Sequence, residues 1–198
     1  MKNRKHPNRI PFEGCLTKLD VASDRAPFGA RGHRVILTWD AANDALDSLL
    51  GMAVGFKAEW DGHDNRRKCG VIEEAWIEND ELLVSGYLYG KDFPEVIAHM
   101  QRPDVELGMS YEMIDARVQD MRAELWTLTA VTFTGAAILM RDKAAYRSTS
   151  VNLAAAAASQ EFTGALAFFD GGRVQLAERQ PGRMHRWYDR LRNGRGSH

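Results

Sequence analysis

Two side chains in this sequence have the types that nucleophilic catalysis uses. Ser110 lies in the run Leu107-Gly108-Met109-Ser110-Tyr111-Glu112, and His63 lies in the polar loop Trp60-Asp61-Gly62-His63-Asp64. A serine hydroxyl becomes a useful nucleophile only when a base takes its proton and fixed donors hold the oxyanion. An imidazole on a loop beside a glycine can face a cleft and carry that proton. Residue type alone singles out neither. A serine between apolar residues in a strand is commonly a small filler, and a loop histidine is commonly a solvated side chain.

The same loop admits a second chemistry. Asp61, His63 and Asp64 are all oxygen or nitrogen donors for a divalent ion. Three ligands so close in sequence rarely reach one centre, and no second cluster with ligand spacing follows. No metal is therefore expected. The chain also has neither a glycine-rich phosphate loop nor a dinucleotide fingerprint, so no cofactor is expected.

The elements that must position these residues can be read from periodicity. Residues 33–39, HRVILTW, are β-branched and apolar, as in a strand. Asp40 is placed to cap a helix over 41–50 that Gly51 ends, with Leu46, Leu49 and Leu50 on one face. A short strand over 52–60 leads into the His63 loop. Residues 70–77 and 82–89 read as paired strands joined by Glu78-Asn79-Asp80-Glu81, the second alternating Leu82, Val84 and Leu88 with Leu83, Ser85 and Tyr87. Asp92 can cap a helix in which Phe93, Val96, Ile97 and Met100 form the apolar face. Long strands follow over 105–118, carrying Ser110, and over 126–139, ending at a Gly-Ala-Ala turn. The fold class is thus α+β and mainly β, with short flanking helices. A closed or nearly closed barrel is the expected arrangement, because closure removes exposed edges.

Three segments are expected: a mostly irregular basic arm (1–32), a β-barrel domain (33–147), and an alanine-rich linker with a basic tail (148–198). In the last segment EFTGALAFFDGGRVQLAERQ could pair as a hairpin, and the arginine-rich end could form a short amphipathic helix. The 198 residues are 44% hydrophobic and 27% charged with a net charge of −1, which fits a globular protein rather than a polyanion binder. Nucleic acid is therefore not an expected partner. Two cysteines, Cys15 and Cys69, exclude a disulfide scaffold and fit a reducing compartment. The basic N-terminus lacks an apolar stretch after it, and no run approaches a membrane span, so neither a signal peptide nor a membrane association is expected.

Taken in order, several short motifs line up. His63-Asp64 is followed by Gly70-Val71-Ile72 with Ala75, then by Leu82-Leu83-Val84-Ser85-Gly86-Tyr87-Leu88. A short helix intervenes before Gly108-Met109-Ser110-Tyr111, and Thr132-Phe133-Thr134-Gly135-Ala136-Ala137 closes the set, with Ala144-Ala145 beyond it. This order resembles the prohead protease family of tailed phages, whose fold is related to the herpesvirus assembly protease. The resemblance covers about residues 33–147 and rests on the ordered set rather than on any one motif. It implies a serine endopeptidase that cleaves scaffold and capsid-protein extensions, and its own tail, during procapsid assembly. Ser110 would attack and His63 would take its proton, with the oxyanion held mainly by backbone N–H groups. The implied partners are the major capsid protein, the scaffold protein and further copies of the chain. The implied location is the host cytoplasm, inside the procapsid.

One departure stands out. The family carries an acid at the start of the last strand to orient the histidine, and Ala130 stands at the matching place. Three explanations follow. Glu124 or another acid supplies the role in a shifted register; a Ser–His dyad works with Thr129 or Thr132 nearby; or the protein is a non-enzymatic assembly or scaffold protein on the same fold.

Overall fold

The computed structural model describes residues 6–154, which fall within the compact unit Met1–Glu161. The expected hairpin and basic helix beyond residue 160 lie outside the described residues. Eight strands form one sheet: β1 (Arg9–Lys18), β2 (Arg34–Leu37), β3 (Ala53–Phe56), β4 (Lys68–Glu78), β5 (Glu81–Tyr89), β6 (Leu107–Val118), β7 (Leu125–Met140) and β8 (Ser150–Leu153). Two short helices, α1 (Trp39–Ala45) and α2 (Pro94–Met100), flank it. Neighbours run β2-β7-β3-β4-β5-β1-β8, with β6 paired to β7.

The mainly β expectation holds, but the barrel does not close. The sheet curls strongly into a half-barrel and stays open. The reason lies between β6 and β8, which do not pair. There the N–H of Met109 donates to Thr149 Oγ1 at 3.2 Å. This link satisfies a buried N–H at the gap without a strand ladder.

The N-terminal segment differs more. Residues Arg9–Lys18, expected within an irregular arm, form β1 between β5 and β8. Pro11 and Gly14 disguise the strand. Proline lacks a ladder donor, yet its carbonyl accepts from the N–H of Ala154 at 2.9 Å. Gly14 is required by close approach, since a Cβ there would collide with the carbonyl oxygen of Ser150. Ile10 and Phe12 are buried beside it. Likewise Ser150–Leu153, expected as linker, pairs with β1.

Local chemistry sets the remaining boundaries. The hydroxyl of Thr38, rather than Asp40, caps α1 by accepting from the N–H of Ala41 at 3.2 Å. The helix tightens into a 3-10 turn at Leu46–Leu49, which buries Leu49. Helix α2 starts at Pro94 with Phe93, whose side chain has no acceptor, at the cap position, and Asp92 accepts from Asn8 Nδ2 at 2.7 Å. β4 and β5 meet at a turn in which Asn79 takes φ 56°. β7 does not stop at Gly135-Ala136-Ala137 but runs through them to Met140. That extension matters, because β3 pairs with 136–138 on one edge of β7 and β6 pairs along the other. The core packs Phe12, Phe56, Phe133, Leu16 and Met109, all under 2% exposed, each contributing about 1.5–3 kcal/mol by burial.

Candidate active site

Ser110 and His63 reach the same region by different routes. On β6 the side chains alternate between faces. Met109 is buried, and the ring of Tyr111 packs edge-on against Phe133 with centroids 5.6 Å apart, so these two define the core face. Ser110 and Glu112 therefore share the opposite face, their Cα atoms roughly 6.6 Å apart by the strand rise. Across the sheet Ser110 faces Ala137 on β7, Ala137 faces Gly55 on β3, and Gly55 faces Lys68 on β4. Small residues thus floor the sheet between β6 and β4.

The loop between β3 and β4 carries His63 over this floor. Its first turn is anchored by Trp60, which takes φ 56° and stacks on His99 of α2 with centroids 4.2 Å apart and planes 6° from parallel. The carbonyl of Trp60 accepts from the N–H of Met140 at 2.7 Å, tying the loop to the end of β7. Lys57 pairs with Asp61 at 2.9 Å. Beyond His63, the carboxylate of Asp64 accepts from the N–H of Arg66 at 2.9 Å, and its carbonyl accepts from the N–H of Arg67 at 3.1 Å. The loop backbone closes over Gly55, where a Cβ would lie 3.0 Å from the carbonyl oxygen of Arg67.

His63 points from this frame to Glu112. Its Nδ1 lies 3.1 Å from Glu112 Oε1. Lys68 Nζ lies 3.3 Å from both carboxylate oxygens of the same residue. Gly135, the cross-strand partner of Glu112, leaves the room this needs, since a Cβ there would sit 3.0 Å from Glu112 Oε2. With the ring proton on Nδ1, His63 donates to Glu112 and Nε2 is left as an acceptor. That is the orientation a general base needs toward a serine hydroxyl. Among the described residues no hydrogen bond joins Ser110 to His63. The two are brought to one face through Glu112, not into direct contact.

No family model and no curated protein matches this chain.

Glu112 is the functional candidate that motif order missed. The place of the absent acid, Ala130, pairs with Arg117, seven positions along β7 from the partner of Ser110 and so roughly 20 Å away along the strand. An acid there would not reach His63. Glu124 lies further still, before the start of β7, where its carbonyl contacts His33 Nδ1 at 3.1 Å. The hydroxyl of Thr129 donates to the carbonyl of Arg117 at 3.4 Å, in the same distant half of the hairpin. The signal for Glu112 was strand alternation, which sets it beside Ser110.

The three possible metal donors of the loop diverge. Asp61 turns to Lys57, whose hydrogen bond holds its carboxyl below the ordinary range. The carboxyl of Asp64 is held low mainly by the Arg66 N–H, and His63 turns to Glu112. Among the described residues no three His, Cys, Asp or Glu side chains are grouped to hold a metal. Beside β6, Met109, Ser110 and Tyr111 line a cavity of about 20 Å³ with Leu16, Pro27, Ala145 and Tyr146. That is room for about one water, so it is no substrate pocket. Among the described residues no helix is long and apolar enough to cross a membrane.

Proposed function

We propose that this chain is a serine endopeptidase of phage capsid maturation, cleaving scaffold and capsid-protein extensions inside the procapsid. The observation that carries the reading is the Nδ1–Oε1 contact of His63 with Glu112 at 3.1 Å, with Ser110 two residues away on the same strand face. In this reading Glu112 takes the orienting role for which Ala130 is unsuited. Ser110 Oγ attacks the scissile carbonyl as His63 Nε2 takes its proton, and the Glu112 carboxylate stabilises the imidazolium. His63 then gives that proton to the leaving amine. Water hydrolyses the acyl-enzyme by the same proton path in reverse. Capsid protein, scaffold and further copies of the chain are the proposed partners.

A second reading, a non-enzymatic assembly protein on this fold, is favoured by the absence of a Ser110–His63 hydrogen bond. Catalytic hydrogen bonds often tighten only when substrate binds, so we retain the first. Co-expression with the capsid protein and intact-mass measurement separates the two. Wild type is expected to shorten its partners, and Ser110→Ala is expected to leave them full length. Identical uncleaved products from both would overturn the protease reading.

A further inference from the structure

Glu112 has a second partner from a different element. Lys68, the first residue of β4, reaches across the sheet to place Nζ at 3.3 Å from each carboxylate oxygen. Its methylene stem passes Gly55, where a Cβ would lie at ordinary van der Waals distance, 3.5 Å, from Lys68 Cδ. The three side chains are only partly solvated, with relative exposures of 32% for Lys68, 29% for His63 and 20% for Glu112. A carboxylate held by one histidine alone could rotate toward solvent. A cation bridging both oxygens restrains that rotation and keeps Oε1 on Nδ1.

We propose that Lys68 is a positioning residue that acts through Glu112, clamping the carboxylate so that His63 is fixed in the Nδ1–H tautomer. The inference rests on the protease reading of Ser110, His63 and Glu112. Lys68 touches no reacting atom in it. It does not serve as the base in this reading, because its Nζ is engaged by both oxygens of the Glu112 carboxylate.

The test uses the full chain and a fluorophosphonate probe, with Ser110 modification followed by intact mass, alongside cleavage of co-expressed capsid protein. Lys68→Met is expected to lower the modification rate about tenfold, chiefly in kcat rather than KM for cleavage. Lys68→Arg, which keeps a bridging cation, is expected to recover most of it. On a Glu112→Gln background Lys68→Met is expected to add nothing, because its route of action is gone. Thermal unfolding of each variant checks folding. Wild-type rates in Lys68→Met, or a full tenfold loss added to Glu112→Gln, would overturn the inference. Imidazole ¹⁵N shifts of His63 give a readout independent of turnover: one Nδ1–H tautomer in wild type and Lys68→Arg, and a mixture in Lys68→Met. An unchanged tautomer in Lys68→Met overturns the clamp even if cleavage is seen. If wild type neither labels at Ser110 nor cleaves, the protease reading fails, while the tautomer measurement still decides the clamp.

Discussion

Glu112→Gln tests the site most directly, because it keeps the shape of the side chain and removes its charge. The amide oxygen can still accept from His63 Nδ1–H, so the loss is mainly electrostatic. Unit charges about 4 Å apart interact by roughly 4 kcal/mol at an effective dielectric of about 20. The pair is partly solvated, at 29% and 20% exposure, and Lys68 shares the same carboxylate, so the usable part is smaller. Roughly 2 to 3 kcal/mol of imidazolium stabilisation remains at risk, or about 30- to 200-fold in rate by the exponential relation. This is less than the roughly 10⁴-fold known for a fully buried triad acid. The measurement is the second-order rate of Ser110 modification by a fluorophosphonate, read by intact mass, for wild type, Glu112→Gln and His63→Ala. Glu112→Gln within threefold of wild type, with His63→Ala at background, would refute the assignment of the orienting acid to Glu112.

Further predictions follow from neighbouring geometry. Gly135→Ala places a Cβ 3.0 Å from both Glu112 Oε2 and the Ala53 carbonyl oxygen, so the more mobile carboxylate must give by a few tenths of an ångström. A loss of about threefold to tenfold in Ser110 modification is expected, and an unchanged rate would mean that the carboxylate position is not critical. Burial, assisted by Arg102, holds the His99 imidazole below its ordinary value of 6.5, so the unfolded chain takes up this proton first as pH falls. Stability is expected to drop below about pH 6.5, and His99→Phe, which keeps an aromatic partner for Trp60, should flatten that part of the unfolding profile. Burial pushes the Cys69 thiol up to about 12 and the Cys15 thiol up to about 11. Neither is expected to react with Ellman's reagent at pH 8 until denaturant is added, and prompt native reactivity would contradict their placement.

The parts of this fold legible in the sequence are those whose evidence is local. β5 alternates with period two after the polar turn that joins it to β4, and α2 shows its apolar face in Val96 and Ile97, both buried. β1 was hidden because Pro11 and Gly14 resemble irregular chain, whereas each is accommodated by a partner strand remote in sequence. The extent of β7 was hidden for a similar reason. Gly135-Ala136-Ala137 has turn composition, but these small residues lie between β3 and β6, with Glu112 packed directly over Gly135. Open or closed, the barrel could not be read at all, because closure depends on whether β6 meets β8.

The site divides along the same line. Which loop residue faces which strand residue is a matter of long-range register, and only the folded chain brings Lys68 and His63 to Glu112. Ser110 and Glu112, by contrast, are related by strand period alone. In the proposed site the orienting acid stands on the nucleophile's own strand, and this has a physical consequence. Their separation is set by two residues of extended backbone and does not depend on how β6 aligns with β7. What does depend on that alignment is their shared position against His63. A one-residue slip of β6 would turn both side chains to the core face together, where Met109 and Tyr111 now pack. The buried Met109 and the Tyr111–Phe133 contact therefore help to fix the register of β6, and through it the face on which the serine and its acid stand.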